Sequence, residues 1–164
     1  MTVEIELPAR DGTRPRTTSE FPHSQLDQQP ADSRYVDDIL AEAATWPSVQ
    51  QGASRISVEG ARALFLGVDA DTAPAGSGLA EGALGQEFCH VHAQGDHSLH
   101  AVLPLPLAGE AEQAGWAEPH FLVHTGQAPP NVVMLYAPRD EKERDVVLGL
   151  VRASYEFACT TTNA

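Results

Sequence analysis

The feature that most constrains this chain is the run from Glu87 to Pro104, where residues alternate along two short stretches separated by Ala93–Asp96. The spacing predicts a β-hairpin, with strands over about 86–92 and 97–103 and a turn between them. Alternation in a strand puts His90 and His92 on the same face. His97 and His100 follow on the second strand, so four of the chain's seven histidines fall in this hairpin. Imidazole titrates nearest neutrality of all side chains, and a cluster of it suits proton transfer or metal ligation.

The remaining pattern surrounds the hairpin with helices. Ser33 is placed to cap a helix to about residue 45, with Tyr35, Val36, Ile39, Leu40 and Ala43 as its apolar stripe. Trp46 and Pro47 end it. Residues 55–68 read as two short strands about Glu59 and Gly60, and residues 69–82 as a mobile loop. A short helix is expected over about 106–115, a loop from Gly126 to Pro130 and a buried strand over 132–136. Asp140 and Glu143 form a capping-box pair opening a helix to about 158, with Val146, Val147, Leu150, Val151, Ser154 and Phe157 inward. Residues 1–31, rich in Pro, Arg, Thr and Gln, read as an extended arm, with Val3, Ile5 and Leu7 as a short edge strand. The predicted organisation is an arm (1–31), one α+β domain (32–159) with helices on one face of a mainly antiparallel sheet, and a tail (160–164).

A length of 164 residues suits one domain. The net charge of −13 repels phosphate backbones and anionic lipid, so neither nucleic acid nor a membrane is an expected partner. No run approaches the ~20 apolar residues of a membrane span, no signal peptide is visible, and the cytoplasm is the default compartment. Cys89 and Cys159 form no C-x-x-C pair; two reduced thiols are the favoured reading over one disulfide.

Two chemistries suit the histidines. His90, His92 and His100 can hold one divalent ion, with Asp96 as an added carboxylate. Alternatively, one of them is a general base whose tautomer Asp96 or Glu87 sets, while Arg10, Arg14 and Arg139 hold an enolate or carboxylate. A satisfied, non-functional set is the third reading, and it is the favoured one for His97. Trp116 and His120 are placed to wall a pocket, although Trp116 also reads as a core anchor. Tyr136 ends a buried strand and can donate to a ligand oxygen or to backbone. His23 and His124 read as solvated loop residues. There is no phosphate loop, nucleophile elbow or dinucleotide fingerprint.

Three segments together resemble the fungal-luciferase-like domain, which includes the mushroom luciferases and small bacterial relatives. They are Leu7–Pro15 with Gln25–Gln28; His90, His92, Asp96 and Ser98–His100 leading to Leu103; and Gly115, Trp116 and His120 through Tyr136–Asp140 into the last helix. The sequence departs from the family's Gly-Trp-Gly-x-x-His-Pro at Ala117 and Phe121. The resemblance implies oxidation of an enolisable small molecule by molecular oxygen, without flavin or nicotinamide. One of His90, His92 or His100 would then be the base, Asp96 would orient it, and an N-terminal arginine would pair with the anion.

The leading expectation is thus a cofactor-independent oxygenase or oxidase acting on an enolisable aromatic, pyrone or polyketide-like molecule. Oxygen is the co-substrate, a divalent metal at His90, His92 and His100 is allowed, and a homo-oligomer is compatible with the sequence. A non-redox cyclase or isomerase using the same histidines is the alternative, and a binding protein without turnover the third.

Overall fold

Apolar residues recur at helical spacing in three stretches and at alternate positions in shorter ones, and the chain folds accordingly. The computed structural model describes residues 5–67, 76–82, 84–93 and 95–159, the side chains of 81 and 82 aside. The helices are α1 (Arg34–Ala43), α2 (Leu105–Gln113) and α3 (Glu141–Cys159). The strands are β1 (Val49–Ala53), β2 (Arg62–Leu66), β3 (Ala80–Gly82), β4 (Gly85–Val91), β5 (Leu99–Val102), β6 (Ala117–Pro119) and β7 (Val132–Leu135). They form one sheet in the order β1-β2-β4-β5-β7-β6, with β3 paired to the start of β4. Every pairing is antiparallel.

The two faces of the sheet differ in character. Leu64, Cys89, Val91, Leu99, Ala101, Val133 and Leu135 belong to the hydrophobic core. That face is covered by α1 and α3, which bring Val36, Ile39, Leu40, Val147, Leu150 and Val151 to the same core. Each fully buried aliphatic side chain contributes about 1.5–3 kcal/mol. On the opposite face stand His90, His100, Met134 and Glu118. They lie in one cross-strand row, His90 opposite His100, His100 opposite Met134, and Met134 opposite Glu118.

One irregularity in β4 matters for the site. Leu64 pairs with Cys89 but the next residue, Phe65, pairs with Glu87, so Phe88 is the extra residue of a β-bulge. Phe88 and Cys89 both enter the core. Glu87 is thereby turned to the histidine face, three residues before His90 yet on its side of the sheet.

The N-terminal arm crosses this second face. Arg10 N–H donates to Ala114 O at 2.8 Å, Trp116 Nε1–H donates to Pro8 O at 2.7 Å, and Thr17 and Gln25 form an isolated antiparallel bridge. Gln25 Oε1 accepts from Ala137 N at 2.9 Å. Arg139 reaches Asp11 O at 2.8 Å and Gln28 Oε1 at 3.3 Å.

The α+β architecture, the histidine hairpin and the three helices match expectation, while several local elements differ. Ile5 and Leu7 pack against the core without forming a strand, and Val3 lies outside the described residues. The strand expected before Gly60 lies earlier, at 49–53, because its polar residues Gln50 and Gln51 pair at the sheet edge. The expected loop 69–82 contains β3, and its residues 69–75 lie outside the described residues. β6 was not anticipated, having only three residues, the last of them proline. Ser33 donates to the Asp37 carboxylate instead of capping backbone. Asp140 Oδ1 accepts from Glu143 N at 2.8 Å, as a cap should, but the Glu143 carboxylate binds Arg139. Cys89 and Cys159 are both free.

Candidate active site

Strand alternation and the hairpin register bring His90, His92 and His100 together at the centre of the second face. His92 Nε2 lies 3.1 Å from His100 Nδ1, and His90 Nε2 lies 3.2 Å from the same atom. The other nitrogen of His100, Nε2, is 3.0 Å from Nδ1 of His23, which the arm delivers from 77 positions away. His120 completes the group, its ring centroid 4.6 Å from that of His100 and 4.9 Å from that of His23. All five are buried.

Each ring is backed by an oxygen. His92 Nδ1 meets Ser98 Oγ at 2.9 Å and Asp96 Oδ2 at 3.3 Å, and Ser98 donates to the other oxygen of Asp96. His90 Nδ1 faces Glu87 Oε2 at 3.6 Å, across the side of β4 that the bulge rearranges. His23 Nε2 lies 3.4 Å from Glu118 Oε2, and Glu118 also accepts from Thr17 Oγ1 at 3.0 Å and from the Tyr136 hydroxyl at 3.1 Å.

These surroundings set the charges. Burial, and then the neighbouring His92 and His90, hold His100 well below the ordinary histidine range. Burial also lowers His90, against the opposing pull of Glu87, and with His23 it brings His120 down to about 4. Burial alone would raise Asp96, but hydrogen bonds from His92 and Ser98 hold it below the usual carboxylate range. Glu118 is held low in the same way by His23, Thr17 and Tyr136. Burial pushes Tyr136 up to about 12, so it remains a donor.

Above the histidines opens a cavity of about 620 Å³. His23, His90, His92, His100 and His120 form its floor, with Asp96 beside them. Its walls include Leu79, Leu122, Pro129 and Val132, and Phe21, Ile56 and Val58 stand exposed around it. That size and mixture of apolar wall and convergent polar groups is typical of small-molecule sites. Two sets of three histidines, His90 with His92 and His100, and His23 with His100 and His120, place their ligand atoms within 4.8 Å of one another.

The structure brings together His90, His92, His100, Asp96 and His120 as anticipated. It does not bring Arg10, Arg14, Trp116, Tyr136 or Arg139 to the cavity wall. Their polar groups serve the scaffold. Arg10 donates to Thr13 O and Gln28 Oε1, both at 3.0 Å. Arg14 donates to Ala117 O at 2.9 Å and to Glu112 O. Arg139 pairs with Glu143, and Trp116 is buried with its N–H on Pro8 O. His124 is exposed as expected, and His97 stays outside the cavity. His23, expected to be solvated, is 3% exposed and sits at the centre of the cluster, a correction that only the path of the arm reveals. Glu118 was also missed, since it lies on the short strand β6.

A cavity floored by imidazoles, on one face of an antiparallel sheet whose other face carries the helices, defines a small α+β domain built around a histidine site. The luciferase domain model matches residues 85–154, from the start of β4 into α3. The chain is 31% identical to luciferases of Armillaria mellea and Armillaria ostoyae over 166 aligned residues, and 31% identical to that of Neonothopanus nambi over 164. In each case the match covers 93% of this chain and 61% of the relative, so the chain spans about three fifths of the curated relatives' length. No solved structure matches it. The chain is thus similar to the fungal luciferases over most of its own length. Among the described residues no helix is long and apolar enough to cross a membrane.

Proposed function

We propose that this chain is an oxygenase-type enzyme acting on an enolisable small molecule of the aromatic, pyrone or polyketide-like kind. One observation carries this reading: a cavity with apolar walls ends on five buried imidazoles. A flat apolar ligand is held by the walls, and its acidic oxygen meets the floor. Loss of the enol proton there yields an electron-rich anion, and the electrons that reduce molecular oxygen come from that anion. Similarity to luciferases supports the class of reaction. Among the described residues no Lys or Arg lines the cavity, so the floor itself must take the proton or the charge.

Oxygen consumption by the purified chain, measured against a panel of hydroxy-pyrones and enolisable aromatics, tests the reading. Catalysed uptake that is saturable in one of them, and reduced at least a hundredfold in His92→Ala, is the expected result. Turnover of such a compound under argon would replace it with a cyclase or isomerase. Tight binding without turnover would replace it with a carrier.

A further inference from the structure

We infer that His90 Nε2, His92 Nε2 and His100 Nδ1 together ligate one divalent first-row transition-metal ion at the floor of the cavity. The site goes beyond the proposed reaction and does not depend on it.

Hydrogen bonds around His92 and His100, and the carboxylate facing His90, leave three nitrogen lone pairs pointing at one another. Ser98 has a single hydroxyl hydrogen and gives it to Asp96 Oδ1. At 2.9 Å from His92 Nδ1 it can therefore only accept, and Asp96 Oδ2 at 3.3 Å is a second acceptor. The ring proton of His92 is thus on Nδ1, and Nε2 is bare.

On the opposite side, the hydroxyls of Thr17 and Tyr136 both donate to Glu118, which then accepts from His23 Nε2. His23 Nδ1 is left as an acceptor and takes the Nε2–H of His100 at 3.0 Å, so His100 Nδ1 is bare. His90 turns Nδ1 toward Glu87 Oε2, and its Nε2 faces inward. No hydrogen remains to separate the 3.1 Å and 3.2 Å pairs on His100 Nδ1.

Those separations suit a shared cation. Two imidazole nitrogens bound to one ion at about 2.0–2.1 Å, at octahedral or tetrahedral angles, stand about 2.8–3.4 Å apart. Behind each ligand stands the oxygen-bearing partner that metal-bound histidines commonly have: Asp96 and Ser98 behind His92, Glu87 behind His90, and the His23–Glu118 pair behind His100. Glu87 is 0% exposed and faces His90, a neutral imidazole in this arrangement, at 3.6 Å, so a dication on the floor would place positive charge beside a buried carboxyl group. Three neutral imidazoles favour iron, cobalt, nickel, copper or zinc over magnesium and calcium.

The second histidine set is not equivalent. His120 Nδ1 accepts from Leu122 N at 3.2 Å, which puts its ring proton on Nε2. His23 Nδ1 is already taken by His100. The set His23, His100 and His120 therefore has no three free lone pairs to offer.

The test uses the full chain without a His tag, stripped with chelator and titrated separately with Mn²⁺, Fe²⁺ under argon, Co²⁺, Ni²⁺, Cu²⁺ and Zn²⁺. Binding is followed by calorimetry, and for Co²⁺ by its visible bands. One ion per chain is expected. His92→Ala and His100→Ala should each lose at least a hundredfold in affinity, while His120→Ala and His124→Ala stay within about threefold. Asp96→Asn, should either alanine variant fail to fold, is expected to lose about 10–100-fold as an outer partner. No stoichiometric binding of any of the six ions overturns the proposal. So does binding that survives in His92→Ala or Asp96→Asn but is lost in His120→Ala. Because the readout is metal affinity, a chain that binds the ion yet consumes no oxygen would refute the proposed reaction and leave the site standing.

Discussion

Glu118 stands in the same cross-strand row as His90, three strands away, with His100 and Met134 between them. His23 lies over that gap, joining His100 at 3.0 Å to Glu118 at 3.4 Å. The row is thereby continuous from the bulged strand β4 to the edge strand β6, and the arm is part of the site.

Glu118→Gln should weaken this link. The carboxylate accepts from Thr17, Tyr136 and His23 at once, and an amide with one oxygen cannot. A loss of about 1–3 kcal/mol is expected at pH 7 from the donors left unmatched. The folded pKa of Glu118 is depressed, so its stabilisation is full above the unfolded value and fades as pH falls through the folded one. Urea midpoints should therefore separate wild type from Glu118→Gln near neutrality and converge below the ordinary glutamate range of about 4. Curves that stay parallel to pH 3 would refute the linkage.

Arg14→Ala separates a scaffold arginine from a substrate-binding one. Its guanidinium binds the carbonyls of Ala117 and Glu112, and the side chain is exposed. The expected cost is about 0.5–1.5 kcal/mol, with faster proteolytic cleavage of the arm and an unchanged KM. A tenfold rise in KM at unchanged stability would show that Arg14 reaches the substrate after all.

Gly85→Ala should be among the costlier single changes. Gly85 opens β4 at φ +115°, and an added Cβ would meet Leu66 O at 2.2 Å. Backbone must move as well as strain, so about 2–4 kcal/mol is expected, or roughly 4–16 °C in Tm. A shift of under about 2 °C in a thermal melt would mean that the β3–β4 turn is not built as described.

What the sequence conveyed, and what it withheld, follows from range. The hairpin was legible because alternation about Ala93–Asp96 is local, and α1 and α3 because Val36, Ile39 and Leu40, and Val147, Leu150 and Val151, recur at helical spacing. β1 and β6 were not, since Gln50 and Gln51 are polar edge residues and β6 has three residues. Of the site, His90, His92, His100 and Asp96 came from one local pattern, and His120 from its place beside Trp116. His23 could not, because its partners His100 and Glu118 lie 77 and 95 positions away. The arginines suggested anion binding by charge alone, but Arg10 and Arg14 spend their donors on carbonyl oxygens that the fold brings to them, and Arg139 spends most of its own on the Glu143 carboxylate.

The bulge at Phe88 yields the most specific prediction. It turns Glu87 to the side of His90, where the carboxylate faces Nδ1 at 3.6 Å while its other oxygen accepts from Arg55 N at 3.1 Å. Glu87→Gln keeps an oxygen for Arg55 N and turns its amide N–H₂ toward His90 Nδ1. That nitrogen then becomes the acceptor, and the ring proton moves to Nε2, where His90 meets His100. Imidazole ¹⁵N shifts should show His90 protonated on Nδ1 in the metal-free wild type and on Nε2 in Glu87→Gln. Stability should change by no more than about 1 kcal/mol, since one hydrogen bond replaces another contact. Affinity for Co²⁺ should fall about 10–100-fold, the loss typical of removing an outer partner. If the tautomer switches and the affinity does not fall, His90 is not a ligand. If the tautomer stays the same, Glu87 does not set it, and the bulge has a purely structural role.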